Sequence, residues 1–465
     1  MNEHIQEWYD QNEDKVRKLM HDIWLHPELG LKEEYAANAT AKFASEQGFT
    51  TVELHNAENF DDETALKNSV VAKWGNGRPA IAFVGELDAL PGLGQELVPY
   101  KSPVEGPGHA CGHNTMAGCA AAAASSVKYA MEKEGIQGTV VLVEAPAEEI
   151  GRGKAALARA GVFKDLDLIL MWHPGSGDLN VAPSPMMVIY NALFEFFGTS
   201  YHAAGKHGER GRSALDAAQL MNIGCEFLRE HLPRFNTSHH YCFRDGGLAP
   251  NIVPAHAAVE YYFRGFDESD INAEAEHFAR DLFDRAVKCA EGAALMTETE
   301  MKCTLISHMP QFYHTLPLNK MVYEAALKVP ELEYSEEEYD LAAELYKNTH
   351  GGKEIENRKD LLSTGVVPYS DGVINTTMGA TDASDMTYFA PTIHCQGLGR
   401  IPEAGGHNWI VSYLSGMAIG EKGGVQASKV LSQTAYDAFC DHSLIEECWD
   451  YYKKLNVPDY DTLKV

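Results

Sequence analysis

Apolar residues along this chain alternate between short continuous runs and stretches with a helical period. Glu13–Leu25 and Glu33–Gln47 repeat apolar positions every three to four residues and predict amphipathic helices. Val70–Trp74 predicts a strand ending at Gly75-Asn76-Gly77, a hairpin signal. Pro79–Val84, Thr139–Val143 and Leu166–Trp172 are apolar runs of strand length that predict buried strands. Between them an Ala-rich stretch from Thr115 to about Glu132 predicts a helix packed closely on a sheet. Strands alternating with helices through residue 175 argue for an α/β layer architecture.

The pattern then changes. Met187–Phe197 and Ala257–Arg264 read as strands, and Arg212–Leu232 and Ile271–Glu291 as helices. This βαββαβ-like order predicts a small two-layer α+β domain over residues 187–306, inserted into a larger one. Residues 307–465 return to helices and short strands, with helices over 330–375 and a glycine-punctuated helix around Ile410–Gly420. The fold expected is therefore an α/β catalytic domain in two chain segments, 1–186 and 307–465, with the smaller domain between them.

Composition narrows the function. The net charge is −29, which removes the Lys/Arg footprint that nucleic acid or acidic lipid requires. No apolar run approaches the ~20 residues that span a bilayer. Nine cysteines without a regular framework fit a reducing compartment, and the acidic start Met1–Trp8 is unlike a signal peptide, so a cytoplasmic protein is expected.

The chemistry-bearing residues sit where strands should end or turns should enter helices. Cys111 and His113 lie in the glycine-rich Gly108–Asn114 turn. Glu148 and Glu149 follow the Thr139–Val143 strand, His173 follows the next, and His407 precedes an apolar helix. Open α/β sheets gather functional groups beyond the carboxyl ends of strands. Taken singly, Cys111 also fits a small buried apolar residue, His173 a strand cap, and the Glu pair a solvated turn; the shared type of position sets them apart. One thiolate, one carboxylate and three imidazoles exceed what a single four-coordinate zinc needs, so two divalent ions with a shared ligand fit better. Of the adjacent Glu148 and Glu149, one can bind metal and the other can shuttle protons. Thiolate favours Zn²⁺, whereas carboxylate and imidazole also suit Mn²⁺. The reaction indicated is hydrolysis of an amide or ester.

These motifs resemble the M20 family of metallopeptidases and amidohydrolases, in the branch where Cys replaces a carboxylate ligand. The resemblance is carried by Glu86–Gly92, His109–Asn114, Pro146–Glu149, Trp172–Pro174, His202–Ala204, Pro250–Pro254, Gly379–Asp382 and Gly406–Trp409, in the family's order along nearly the whole chain. Gly211–Ala217, Ala290–Glu298 and Asn114 add similarity to members acting on aminobenzoyl-glutamate.

The resemblance implies that Cys111, His113, Glu149, His173 and His407 bind two Mn²⁺ or Zn²⁺ ions. It makes Glu148 the general base and then the acid, and Asp88 the carboxylate orienting a ligand imidazole. In the inserted dimerisation or lid domain, His202 would cross a dimer interface to stabilise the oxyanion. Asn251 and Arg264 would hold the substrate's backbone and carboxylate, although Arg264 equally fits a strand-end ion pair. Glu86 stands where other branches carry a metal-binding His, so that ligand is expected to be absent, with the thiolate compensating. The expected substrate is an N-acyl or N-aroyl amino acid, p-aminobenzoyl-glutamate foremost. A dipeptidase, another aminoacylase, or a non-catalytic partner subunit are the alternatives. Either a homodimer or a heterodimer with a paralogous subunit fits.

Overall fold

A computed structural model of the chain describes residues 1–55, 57, 60–204, 208–370 and 379–463. It divides into two compact units. The first comprises Met1–Pro183, Tyr313–Asn375 and Asp385–Tyr460; the second comprises Ser184–Phe312, Thr376–Ser384 and Asp461–Val465. The strands in chain order are β1 (Thr50–Thr51), β2 (Val70–Asn76), β3 (Ala80–Glu86), β4 (Gly138–Ala145), β5 (Leu168–Ser176), β6 (Val188–Phe197), β7 (Thr237–Asp245), β8 (His256–Gly265), β9 (Glu300–Met309) and β10 (Thr392–Arg400).

The first unit is built on a six-stranded sheet of order β1-β2-β4-β3-β5-β10. Its four strands β4, β3, β5 and β10 run parallel, and β1 and β2 add an antiparallel edge. Every residue of β3 is buried, so both faces of the sheet are covered, as a parallel sheet requires. The His113–Glu134 helix is buried along most of its length. Its run of Ala120–Ala124 lets it lie close to the sheet and to the Glu3–Trp24 and Ala418–Cys440 helices.

The second unit is a four-stranded antiparallel sheet of order β7-β8-β6-β9. The Ala214–Leu228 and Glu276–Thr297 helices pack against it through small residues, including Ala217, Ala218, Ala286 and Ala290. These meet the rings of Tyr190, Phe194, Phe196, Tyr261 and Phe263. The edge strand β7 is mostly exposed. This is an α/β unit with a smaller sheet unit, the expected fold class.

Local expectations fail where tertiary packing overrides the sequence signal. The Gly75–Gly77 turn does not close a hairpin, because β4 lies between β2 and β3. Thr139 receives the link instead: its N–H donates to the Pro79 carbonyl at 2.9 Å, and its hydroxyl to that of Gly77 at 2.8 Å. β5 does not stop at Trp172 but continues through His173 to Ser176, paired with β10. The helix expected from Ile271 begins at Glu276, because Asp267 and Asp270 fold the preceding segment by accepting from the N–H groups of Ser269 and Asn272. The Ile410–Gly420 helix is two helices, Trp409–Ser415 and Ala418–Cys440, broken at Gly416, where a Cβ would lie 2.4 Å from a Trp24 ring carbon. Part of the 330–375 segment, residues 371–375, lies outside the described residues. Among the described residues no helix is long and apolar enough to cross a membrane.

Candidate metal centre

The carboxyl ends of β3, β4, β5 and β10 converge on one cluster. β3 ends in Glu86 and leads to Asp88, and β4 leads to Glu148 and Glu149. His173 lies among the last four residues of β5, and β10 ends in Arg400 ahead of the loop carrying His407. Cys111 and His113 flank Gly112, which starts the His113–Glu134 helix with φ of +93°. A Cβ at Gly112 would meet Pro174 Cγ at 2.7 Å, so both backbone angle and space exclude a side chain there.

Two sets of three donor atoms, each set within 4.8 Å, share Cys111. One is Cys111, His113 and His173; the other is Cys111, Glu149 and His407. Cys111 Sγ lies 3.2 Å from His173 Nε2, and His407 Nε2 lies 3.4 Å from Glu149 Oε2. Glu86, His113 and Glu148 form a third set. Sets joined through one thiolate are what two ions with a bridging ligand require, and a mixture of thiolate, imidazole and carboxylate suits Zn²⁺ or Mn²⁺.

Hydrogen bonds fix these donors. Asp88 Oδ1 lies 3.0 Å from His113 Nδ1, and Asp88 Oδ2 accepts from the Glu149 N–H at 2.9 Å. The Nε2 of His113 is thereby turned toward the cluster. Nδ1 of His173 lies 2.9 Å from the Pro174 carbonyl, which leaves its Nε2 facing Cys111. The buried Arg400 guanidinium donates to the carbonyls of Cys111 at 2.5 Å and Gly405 at 3.1 Å, tying together the two loops that carry Cys111 and His407.

Burial and close charges perturb the titration of the whole group. Burial pushes the Cys111 thiol up to about 11, against the pull of His113. Burial would lower His113, but the charges of Cys111 and Glu86 hold it well above its usual value. Burial, then the charges of Asp88 and Glu86, raise Glu149 to about 7. His173 and His407 are both lowered by burial, which favours the neutral, ligating form. Burial would raise Asp88, but its hydrogen bond to His113 and the imidazolium charge lower it.

Three further residues at this centre carried little sequence signal. Glu33 is fully buried, and its Oε1 accepts from the N–H of Ala147 at 2.7 Å. Ala147 has φ of +55° and immediately precedes Glu148, so Glu33 holds a left-handed residue at the head of the Glu148–Glu149 turn. Lys154, the one charge in Gly153–Leu157, is fully buried, with Nζ 2.6 Å from Glu86 Oε1. His394 on β10 puts its ring centroid 5.8 Å from that of His173. A charge embedded in small apolar residues was the available hint for Lys154; nothing local marked His394.

The other predicted residues lie in the second unit. His202 is exposed; its Nδ1 accepts from the Ala204 N–H at 3.1 Å, and it bridges to Ile252. Asn251 is its neighbour through the Ala203 N–H donating to the Asn251 carbonyl at 3.1 Å. Arg264 is half-buried on β8, its guanidinium 5.4 Å from the Tyr262 ring centre. Among the described residues it has no strand-end ion-pair partner; its Nη1 contacts Met187 Sδ at 3.7 Å, and burial lowers its pKa.

Comparison with known proteins agrees with this geometry. The chain is 31% identical to one subunit of the p-aminobenzoyl-glutamate hydrolase of Escherichia coli K12, covering 97% of this chain and 94% of that one. It is 27% identical to the Xaa-Arg dipeptidase of Mus musculus, over 94% of this chain and 88% of that one. A Bacillus subtilis protein described as a dinuclear metal binding peptidase shares the fold, with a TM-score of 0.59 at 18% identity over 93% of this chain and 99% of that one. Residues 82–420 match the family described as Peptidase family M20/M25/M40. With that match and a donor cluster at the strand ends, the chain belongs to the M20 peptidase family and is a metal-dependent hydrolase of amide bonds.

Proposed function

We propose that the protein hydrolyses the amide bond of N-acyl or N-aroyl amino acids, with p-aminobenzoyl-glutamate as the leading substrate. The observation that carries the metal half of this reading is the pair of donor sets joined through Cys111. The substrate half is supported by full-length similarity to the aminobenzoyl-glutamate hydrolase. Cys111, His113 and His173 would hold one divalent ion, and Cys111, Glu149 and His407 the other, with Mn²⁺ and Zn²⁺ both compatible. When bound, such ions supply a polarised carbonyl and a water of lowered pKa.

The protein's own groups do the rest. Glu148 stands beside the cluster, with Oε2 3.9 Å from His113 Nε2, within range to take a proton from water and return it to the leaving nitrogen. Asp88 keeps the His113 ring and the Glu149 backbone in register. His202 is the candidate donor to the oxyanion, acting across a dimer interface, and Asn251 and Arg264 are the candidates for the substrate's backbone and carboxylate. Residues 187–306 are the candidate dimerisation or lid domain. The relative is one subunit of a hydrolase, which supports a paralogous partner; a homodimer is the alternative. A cytoplasmic setting fits the nine free cysteines among the described residues.

The test is metal analysis of the purified protein, with turnover measured on N-acyl amino acids and dipeptides including p-aminobenzoyl-glutamate and Xaa-Arg peptides. Two ions per chain and preference for the aroyl-glutamate are expected. Preference for a dipeptide would keep the site and discard the substrate. Glu148→Ala should abolish turnover at unchanged metal content, and activity surviving it would refute the role of Glu148. Absence of both metal and turnover would make the chain a non-catalytic subunit.

A further inference from the structure

Two cysteines of the second unit meet across a pair of helices. Cys225 lies on the Ala214–Leu228 helix and Cys289 on the Glu276–Thr297 helix, which pack against each other. The helices come close here because residue 224 is glycine: a Cβ on Gly224 would lie 3.3 Å from both Cβ and Sγ of Cys289. The two thiols hydrogen-bond to each other. A disulfide needs Cβ atoms about 3.5–4.5 Å apart, a spacing that this crossing brings within reach. Cys225 is fully buried in the helix–sheet core, whereas Cys289 is half-buried at its margin. Packing alone asks only for small side chains, which Ala218, Ala286 and Ala290 supply along the same helices. Cys119 and Cys395 also lie near each other, but both are buried, so an oxidant in solution reaches neither.

We propose that Cys225 and Cys289 form a peroxide-oxidised dithiol, a reversible modification site that staples the two helices of the second unit. Cys289 is the attacking sulfur, because it is the thiol that solvent reaches. Burial raises its pKa, and the hydrogen bond from Cys225 and then the Arg285 charge pull it back. The Cys289 thiolate attacks one oxygen of hydrogen peroxide; an S–O bond forms, the O–O bond breaks, hydroxide leaves, and Cys289 becomes a sulfenic acid. The Cys225 sulfur then attacks that sulfur; the S–S bond forms, the S–O bond breaks, and the thiol proton leaves with the oxygen as water. Over both steps two thiols give two electrons to one peroxide, leaving a disulfide and two waters. A dithiol reductant reverses the change. The bond closes the chain around β7 and β8, which lie between the two cysteines. Both cysteines belong to the second unit, so the modification does not depend on the two-ion reading.

The experiment treats the purified, fully reduced full-length protein with one equivalent of hydrogen peroxide. The remaining thiols are then blocked with iodoacetamide under denaturing conditions, and the peptides are mapped by mass spectrometry. A linked Cys225–Cys289 peptide should form, the number of blocked thiols should fall by two from nine, and dithiothreitol should restore both. Cys289→Ser should form no link and leave Cys225 a thiol. Cys225→Ala should stop Cys289 at the sulfenic acid, which dimedone traps. Cys289→Ser, at the half-buried position, carries the comparison if Cys225→Ala does not fold. If the exposed Cys242 is oxidised while Cys225 and Cys289 are both still blocked by iodoacetamide, the proposal is wrong. A disulfide joining either of the two to a different cysteine overturns it equally.

Discussion

Glu33→Ala isolates how the Glu148–Glu149 turn is held. Glu33 Oε1 accepts from the N–H groups of Ala147 at 2.7 Å and Leu31 at 3.1 Å, and Asn68 donates to Oε2 at 3.3 Å. Ala147 is fully buried, so removing the carboxylate leaves its N–H without an acceptor and without water. An orphaned buried donor costs about 1–3 kcal/mol. The left-handed angle at Ala147 adds about 1–2 kcal/mol of strain that Glu33 no longer offsets. The variant should therefore lose about 2 kcal/mol of stability, or relax the turn and displace Glu148. A displacement of about 1 Å at a catalytic group lowers kcat about a hundredfold. The assay pairs urea denaturation of the metal-free protein at pH 8 with kcat and KM, and kcat should fall more than KM. Glu33→Gln is the control, because its amide oxygen still accepts from Ala147. Burial, then the charge of Asp88, raises Glu33 from 4.5 to about 7. The folded chain thus binds this proton more tightly than the unfolded chain, and the group's contribution to stability declines as pH rises from 4.5 to about 7. The Gln variant should accordingly be at least as stable as wild type at pH 8. If the Ala and Gln variants match each other in urea midpoint and kcat, Glu33 does not hold the turn.

Metal affinity should rise with pH, because ions displace protons from Cys111 and His113, whose pKa values are both raised, and from Glu149 below about pH 7. In Mn²⁺ titrations the slope of log affinity against pH should steepen by about one proton below pH 7. Gly112→Ala must adopt a φ of +93° with its Cβ 2.7 Å from Pro174; a loss of about 2–4 kcal/mol and weaker metal binding are expected in denaturant melts and titrations. Arg400→Lys cannot bond the Cys111 and Gly405 carbonyls together with one planar group, so a drop of about 2 kcal/mol and weaker metal binding are expected by the same measurements.

The strand runs were legible because each buried strand is a short apolar segment bounded by Gly, Pro or acidic turns. Cys111, His113, Glu148, Glu149, His173 and His407 stood out for a related reason, as reactive types placed at strand ends or in glycine turns, whereas Asp88 came only with the family resemblance. Strand order was not legible. Nothing near Gly75–Gly77 reveals that β4, some sixty residues on, will take the place beside β2. Glu33 and Lys154 were hidden for a similar reason. Each looks like an ordinary charged residue on a helix start until the fold carries it beneath the centre, and its partners, Ala147 and Glu86, are distant in sequence. Arg400 was silent because its task is to hydrogen-bond backbone carbonyls, which no residue pattern advertises.

The parallel pairing of β10 with β5 sets the order in which this protein can mature. Ile393 pairs with Leu170, roughly two hundred residues earlier, and most of the second unit is synthesised in between. During translation Cys111, His113, Glu149 and His173 leave the ribosome long before β10 completes the sheet and Arg400 and His407 arrive. A nascent chain therefore carries an unfinished set of soft and hard donors for as long as the stretch from His173 to His407, about half of the chain, takes to synthesise. A cation captured early meets half of the site, and closure of the slow, long-range strand pair decides whether it is kept. Expression at low temperature or with limited metal should thus change the metal content of the purified enzyme more than its final affinity.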